Sequence, residues 1–116
     1  MNKLVYIAGP YRDAAEWQVF ENILLARKYA LDVWRNGGIA ICPHLNTMLF
    51  GGAPGCTDEM WLAGDLEILK RCDAVYAMIG YGRSEGARNE IALAKREGIP
   101  VLFCAKEMRK FLRGVA

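Results

Sequence analysis

The chain has 116 residues, of which 53% are hydrophobic, and a formal net charge of +2. This length suits one compact domain with one core, which we expect over residues 1–116. The nearly neutral charge and the dispersed basic residues argue against a nucleic-acid partner. No apolar run approaches the roughly 20 residues that span a bilayer, and no leader segment is evident, so we expect a cytoplasmic protein without a membrane partner.

Cysteine and histidine usage indicates a reduced protein without a metal. The cysteines, Cys42, Cys56, Cys72 and Cys104, show no CxxC spacing. Three of them lie in or beside predicted core elements, as free buried cysteines do. The single histidine, His44, follows Cys42 closely, and no further pair of ligands is evident. We therefore expect no zinc site and no other metal.

A buried strand and a long helix open the chain. Residues 3–8 are a continuous apolar run, typical of a central strand covered on both faces, and Gly9-Pro10 ends it. A helix is predicted over 14–35, closed by a glycine C-cap at 36–38. Its predicted core stripe is Trp17, Phe20, Leu24, Leu31 and Trp34, widened by Ile23, Ala26, Ala30 and Val33. The predicted solvent side is Gln18, Asn22, Lys28 and Asp32.

A short strand at 39–42 and a loop rich in glycine follow this helix. Glycines and prolines concentrate at 51–55 and mark 44–57 as irregular. The length of the loop and its place after a strand leave two interpretations open, a substrate lid and an ordered surface excursion. A second long helix is predicted over 58–71. Its expected N-cap is Thr57 or Asp58, and its expected apolar contacts are Trp61, Leu62, Ile68 and Leu69.

The last part of the chain predicts a βαβ unit. A buried strand at 74–79 leads into SEGARNE at 84–90, and a helix runs from there to Gly98. A strand at 99–103 and a short final helix complete it. The expected sheet-facing stripe of the longer helix is Ala87, Ile91 and Ala94.

Glu90 is the first candidate catalytic residue. It is predicted on or beside the buried face of its helix, and helical side chains lean toward the N-terminus, so its carboxylate should point at the ligand crevice. A buried acid is energetically expensive unless it has a function. The alternative is that Glu90 only complements the helix dipole from the first turns.

Together these elements predict an α/β fold, a three-layer, doubly wound parallel sheet of four to five strands, Rossmann-like or flavodoxin-like. The simplest strand order is 2-1-3-4. Its switch point brings the loop at 9–13 next to the loop at 80–90, so that two loops containing glycine line one crevice, where a small molecule is expected. The sequence has no GxGxxG fingerprint in a suitable place, no P-loop and no GxSxG elbow.

Four segments in fixed order cover nearly the whole chain: YIAGPYR, GDLEILKRCDAVYAM, SEGARNEIALA and GIPVLF. Together they resemble the nucleoside 2-deoxyribosyltransferase-like superfamily. The resemblance is greatest to its compact prokaryotic and phage members of unknown function, and next to its nucleoside 5′-monophosphate N-glycosidases. It implies an enzyme that needs no metal or redox cofactor and whose partner is a small-molecule nucleotide or nucleoside.

The resemblance implies roles for three acids and one tyrosine. Glu90 is the implied nucleophile at the anomeric carbon, Asp65 assists the leaving base or the sugar hydroxyls, and Tyr6 orients Glu90. Asp73 matches a further acid, which more often fixes the entry of a strand.

Binding roles are expected for Gly9, Arg12, His44, Ser84 and Gly86. Ser84 stands where deoxyribosyltransferases carry an aspartate and nucleotide hydrolases a serine. An aspartate would repel a 5′-phosphate, whereas a serine at a helix N-terminus can donate to one. Arg12 matches an arginine of the nucleotide hydrolases, but Pro10 stands where they place a phosphate-binding serine. His44 either bonds the base from the loop wall or is a structural loop histidine.

We therefore expect hydrolysis of the base–sugar bond of a nucleoside 5′-monophosphate. Base exchange by a deoxyribosyltransferase, a non-catalytic nucleotide-binding or sensor domain, and a purely structural module stay open. Trp17, Trp34 and Trp61 exceed what so small a core needs, which indicates a homodimer or higher homo-oligomer, with core packing as the alternative.

Overall fold

The computed structural model describes residues 2–114 and shows one parallel four-stranded sheet with helices on both faces. In chain order the elements are β1 (Leu4–Ala8), α1 (Glu16–Arg35), β2 (Ile39–Ile41), α2 (Pro43–Asn46), α3 (Asp58–Leu69), β3 (Ala74–Ala77), a 3-10 turn (Tyr81–Arg83), α4 (Glu85–Arg96), β4 (Val101–Leu102) and α5 (Ala105–Leu112). The strand order is β2-β1-β3-β4, with every pair parallel. The predicted fold class and strand order are confirmed.

The central strand β1 shows why there are three layers. Val5 and Ile7 pack with residues of α1 and α5 on one face. Tyr6 and Ala8 pack with residues of α3 and α4 on the other. Successive side chains of a strand point to opposite faces, so a strand covered on both sides is apolar throughout, as this one is.

The buried face of α1 differs from the prediction. The helix buries Asn22, Ile23, Ala26, Ala30 and Val33. The predicted core stripe lies in solvent instead: Trp17, Phe20, Leu24, Leu31 and Trp34 are all exposed. The sequence of α1 carries two neighbouring apolar stripes, and only the one with small alanines lets the helix backbone lie close to the sheet in a densely packed core. The prediction that Asn22 is on the solvent side is therefore also wrong.

Helix α3 begins where it was predicted and ends earlier. The Thr57 hydroxyl caps it by accepting from the Met60 N–H at 3.2 Å. Of its four predicted apolar contacts only Leu69 is fully buried, whereas Leu62 and Ile68 are exposed. The last turn of α3 reaches the core between the sheet and α4, where Leu69 is buried and Leu66 packs against the same cluster.

The segment between α2 and α3 is a series of tight turns. The N–H groups of Phe50, Ala53 and Cys56 each donate to a carbonyl three residues earlier. The ring of Phe50 packs against Trp61 of α3, with centroids 5.7 Å apart. These bonds agree with an ordered surface excursion, and the lid stays a prediction.

Within residues 2–114 none of the helices is both long enough and apolar enough to serve as a membrane span.

Candidate active site

A cleft of about 750 Å³ opens at the carboxyl ends of β1 and β3. The loop after β1 contributes Pro10, Arg12 and Asp13 to its wall, and the start of α4 contributes Ser84, Gly86 and Glu90. These are the two loops that the strand order was predicted to bring together. They meet because β1 and β3 are neighbours in the sheet while their connections leave on opposite faces.

Glu90 lines the cleft, half buried, and is held by Tyr6. The Tyr6 hydroxyl donates a hydrogen bond to Glu90 Oε2. Burial raises the pKa of Glu90 to about 7, although the Tyr6 hydrogen bond acts to lower it. Burial and the nearby charge of Glu90 raise the pKa of Tyr6 far above its ordinary value. Tyr6 therefore keeps its proton and is a constant donor to the carboxylate.

Asp65, on α3, is a second acid close to Glu90. It is half buried, and burial raises its pKa to about 6. Its negative charge also raises the pKa values of Glu90 and Tyr6, so the two carboxyl groups interact. Asp65 lines a smaller hollow of about 90 Å³, and Arg12 lines both this hollow and the cleft. The three residues predicted to be catalytic are thus brought together.

His44 lines the smaller hollow and is buried. Its Nε2–H donates to the Pro10 carbonyl at 2.8 Å, and its ring meets Tyr11 edge-on with centroids 5.5 Å apart. Burial lowers the pKa of His44, which keeps the ring neutral. Within residues 2–114 its Nδ1 has no hydrogen-bond partner. His44 therefore fixes the loop after β1 and retains one lone pair, so both of its predicted roles stay open.

Ser84 is the N-cap of α4. Its Oγ accepts from the Ala87 N–H at 3.1 Å, which leaves the hydroxyl hydrogen able to donate. The first N–H groups of a helix have no partner within the helix and carry the positive end of its dipole. Ser84 and Gly86 therefore place an anion-favouring element in the wall of the cleft.

Arg12 is engaged by another side chain. Its Nη1 lies 2.6 Å from Asp58 Oδ2, and both side chains are more than half exposed, at 51% and 57%. An ion pair that is so exposed contributes little to stability, because solvent screens both charges. Arg12 lines both the cleft and the smaller hollow, but Asp58 already neutralises part of its charge.

Gly9 and Asp73 lie outside the cleft. Gly9 is buried, and a Cβ on it would be 2.4 Å from Met78 Sδ. Close packing between strand ends therefore requires this glycine, and its part in binding stays a prediction. Asp73 Oδ2 accepts from the Leu4 N–H at 2.7 Å, at the amino ends of β1 and β3 and therefore at the opposite end of the strands from the cleft. It fixes the entry of a strand, as expected for it.

The cleft wall also contains residues that the sequence did not indicate as site residues, among them Gln18, Asn22, Arg83 and Asn89. Asn22 is buried, its Nδ2 donates to the Tyr11 carbonyl at 3.1 Å, and its Oδ1 accepts from Gln18 Nε2 at 3.0 Å. An asparagine beside a helical alanine stripe, four residues after a glutamine, was the available signal. For Arg83 the signal was a basic residue directly before the capping serine.

Within residues 2–114 no three His, Cys, Asp or Glu side chains converge as metal ligands do. The four cysteines are free thiols.

Comparison with known proteins identifies a family and a fold. Residues 3–104 match the family model described as Domain of unknown function (DUF7768). The 2-deoxyribosyltransferase of Bacillus psychrosaccharolyticus is similar in structure, with a TM-score of 0.65 and 22% identity over 84% of this chain and 69% of that one. A conserved protein from Enterococcus faecalis V583 is similar with a TM-score of 0.63 and 20% identity over 87% of this chain and 62% of that one.

No curated protein matches the sequence. The chain spans less than two thirds of the Enterococcus protein. At these identities the likeness is one of fold, and at that level it confirms the predicted resemblance to the nucleoside 2-deoxyribosyltransferase-like superfamily.

Proposed function

The chain belongs to the DUF7768 family, and we propose that it is an N-glycosidase acting on a nucleoside 5′-monophosphate, with Glu90 as the nucleophile. The observation that carries the proposal is the hydrogen bond from Tyr6 to Glu90 beside a second acid, Asp65, in a cleft large enough for a nucleotide. Paired carboxyl groups with raised pKa values are the apparatus of glycoside hydrolysis.

The reactive form of the pair has Glu90 ionised and the proton on Asp65, and it is the less populated of the two singly protonated forms because the pKa of Glu90, about 7, lies above that of Asp65, about 6. In the first step the ionised Glu90 attacks C1′ of the sugar. The C1′–N bond breaks, the base leaves with the bonding electron pair, and a C1′–O bond forms to give a glycosyl ester. Asp65, directly or through a water, supplies the proton that the leaving base takes up. The Tyr6 hydroxyl keeps one carboxylate oxygen in place, so that the other is free to attack.

In the second step water cleaves the ester. Its oxygen bonds to C1′, its proton passes to Asp65, and Glu90 is released as a carboxylate together with the sugar 5-phosphate. The pair of acids is then back in its starting state, with one proton between them. No group outside the chain, apart from water, enters this balance.

The phosphate is proposed to lie at the start of α4. Ser84 retains a hydroxyl hydrogen, and the first residues of the helix line the cleft, where the N-terminus of a helix favours an anion. Arg12 would have to leave Asp58 to reach the same phosphate. These contacts favour a monophosphate over the free nucleoside.

Base exchange is the second candidate, favoured by the similarity to a 2-deoxyribosyltransferase. In that case a second base, rather than water, would attack C1′ of the glycosyl ester. A non-catalytic nucleotide sensor would retain the cleft without needing the chemistry of Glu90.

A homodimer or higher homo-oligomer in a reducing, cytoplasmic compartment is also part of the proposal. The exposed stripe of α1 includes Trp17 at 76%, Phe20 at 58% and Trp34 at 54% exposure. Large apolar side chains in a row along one helix face are typical of surfaces that another subunit covers. Free thiols agree with a reducing compartment.

The test is a panel of ribo- and deoxynucleoside 5′-monophosphates and their matching nucleosides. Each is incubated with the protein, with and without a second base, and free base is followed by chromatography. Glu90→Gln removes the nucleophile with little change in volume, and Glu97→Gln, at the exposed C-cap of the same helix, is the control for loss of one carboxylate. Nucleotide binding is measured alongside by calorimetry.

Base released from a monophosphate without acceptor, lost in Glu90→Gln and kept in Glu97→Gln, is the expected result. Full activity in Glu90→Gln would remove the covalent mechanism. Exchange that requires the second base would make the protein a transferase, and binding without any release would make it a sensor.

A further inference from the structure

We infer that Arg83, rather than Arg12, is the cation that selects the 5′-phosphate in this cleft. The inference rests on the proposed function and adds to it a specificity-determining residue. Arg83 lines the same cleft as Ser84 and Glu90.

The position of the Arg83 guanidinium is set by Gly80. A Cβ on Gly80 would lie 2.6 Å from Arg83 Nη2, 3.2 Å from its Cζ and 3.7 Å from Pro10 Cγ. The guanidinium therefore occupies the space above a glycine whose φ of +85° also disfavours a side chain. It lies where the loop after β1 and the loop after β3 meet.

The backbone beneath Arg83 is held by several hydrogen bonds. The Arg83 N–H donates to the Gly80 carbonyl at 3.0 Å, and the Ser84 N–H donates to the Tyr81 carbonyl at 3.1 Å. Arg88, one turn into α4, donates from Nη1 to the Gly82 carbonyl at 2.7 Å. The 3-10 turn thus presents Arg83 from a fixed backbone, which reduces the entropy lost when it binds.

The charge of Arg83 is available, in contrast to that of Arg12. The ion pairs formed among residues 2–114 include Arg12 with Asp58 but none with Arg83. Glu85 also lines the cleft, and its charge opposes an anion at the start of α4. An unpaired guanidinium in the same wall offsets that charge and can bind phosphate oxygens in bidentate fashion.

Proline at position 10 makes this cation necessary. Pro10 has neither an N–H nor a side-chain donor, so the loop after β1 presents no donor to a phosphate at that point. The Arg83 guanidinium and the Pro10 ring both border the space above Gly80, so the guanidinium brings N–H donors to this part of the cleft wall. We therefore assign phosphate recognition to Arg83, the residue before the helix cap, rather than to the loop after β1.

The experiment measures the affinity and the base release of a deoxynucleoside 5′-monophosphate and of the matching nucleoside. The variants are Arg83→Gln, Arg83→Lys and Arg12→Gln, with Arg96→Gln, an exposed arginine at the far end of α4, as the control for loss of one charge. Circular dichroism checks the fold of each variant.

Arg83→Gln is expected to weaken binding of the monophosphate by about tenfold or more and to leave the nucleoside within about twofold. Arg83→Lys restores part of the loss, because it keeps the charge without the planar fork. Arg12→Gln has the smaller effect, and Arg96→Gln has none.

Equal losses for both ligands, a larger loss in Arg12→Gln, or no binding of the monophosphate by the unaltered protein would overturn the inference. The glycosidase proposal can fail independently of the Arg83 inference, and the two failures give different results. Phosphate-selective binding that depends on Arg83 without any base release would leave Arg83 in its role and remove the reaction. Base release that Arg83→Gln leaves unchanged would support the glycosidase reaction and remove the proposed role of Arg83.

Discussion

The Tyr6 hydroxyl donates to the Glu90 carboxylate across 84 positions of sequence. The donor comes from the central strand and the acceptor from the second turn of α4. Tyr6 is completely buried, so the bond cannot be replaced by one to bulk water without opening the core. This bond opposes the effect of burial, which by itself favours a neutral Glu90.

Tyr6→Phe tests this bond with almost no change in volume. A hydrogen bond to a charged group contributes about 1.5–3 kcal/mol, so we expect base release to fall by roughly 10- to 100-fold. Glu90 will also hold its proton more tightly, which moves the upper limb of the pH–rate profile to higher pH. Steady-state kinetics across pH measures both effects, and an unchanged profile would show that Tyr6 does not act on Glu90.

The pH–rate profile of the unaltered protein is expected to be bell-shaped, with limbs near pH 6 and 7. Below the lower limb both carboxyl groups are protonated and no nucleophile remains. Above the upper limb both are ionised and no acid remains to protonate the base. Asp65→Asn should be slow and show only a rise with pH, and a retained alkaline limb would assign the acid to another group.

Folding stability should fall as the pH rises through the same range. The folded-state pKa of Glu90, about 7, lies above its ordinary 4.5, so the folded state binds the proton more tightly. Its stabilising effect is complete below about pH 4.5 and is lost by about pH 7, a change of about 3 kcal/mol. Urea unfolding at pH 5 and pH 8 should show a flatter dependence for Glu90→Gln. Glu97→Gln should keep the original slope.

Two substitutions at Ser84 separate charge from capping. Aspartate and asparagine both cap helices well, so Ser84→Asp and Ser84→Asn should fold alike. The aspartate adds a negative charge where the phosphate is proposed to lie. We expect it to weaken a monophosphate by at least about tenfold relative to the asparagine variant, with similar nucleoside affinities. Calorimetry would refute the phosphate position if both ligands responded equally to the added charge.

The exposed stripe of α1 makes a prediction about assembly. Phe20→Glu places a charge in the middle of that stripe and should convert the expected oligomer to a monomer without loss of helix content. Glu21→Gln, at the neighbouring exposed position, should leave the assembly intact. Analytical ultracentrifugation decides the point, and an unaltered protein that is monomeric at every concentration would contradict it.

The order of elements in the sheet could be predicted because buried parallel strands are continuous apolar runs, and residues 3–8 and 74–79 are two of them. The side of α1 that packs on the sheet could not be predicted, because side-chain size rather than hydrophobicity decides which side is buried. The stripe with the larger apolar side chains includes Trp17 and Trp34, which are exposed, whereas the small side chains of Ala26 and Ala30 are buried against the sheet.

The acids of the site could be predicted, but of its cations only the presence of Arg12 could, and neither its ion pair nor Arg83 was indicated. Glu90 was indicated by its place on the buried face of α4, which the structure bears out for its stripe of Ala87, Ile91 and Ala94. The engagement of Arg12 by Asp58 joins residues 46 positions apart, and no local pattern contains it. Arg83 depends on the absence of a Cβ at Gly80, which is a property of three-dimensional packing.

The pairing of β1 with β3 has a consequence for the folding of the chain. Residues 4–8 must wait for residues 74–77 to arrive, so the centre of the sheet closes a long loop, and such closures are slow. Until then the Glu90 side chain is exposed to water, its pKa has the ordinary value for a glutamate, and Tyr6 does not contact it. We therefore expect a nascent or partly refolded chain to lack the proposed activity, because the proposed catalytic centre forms only with the complete tertiary structure.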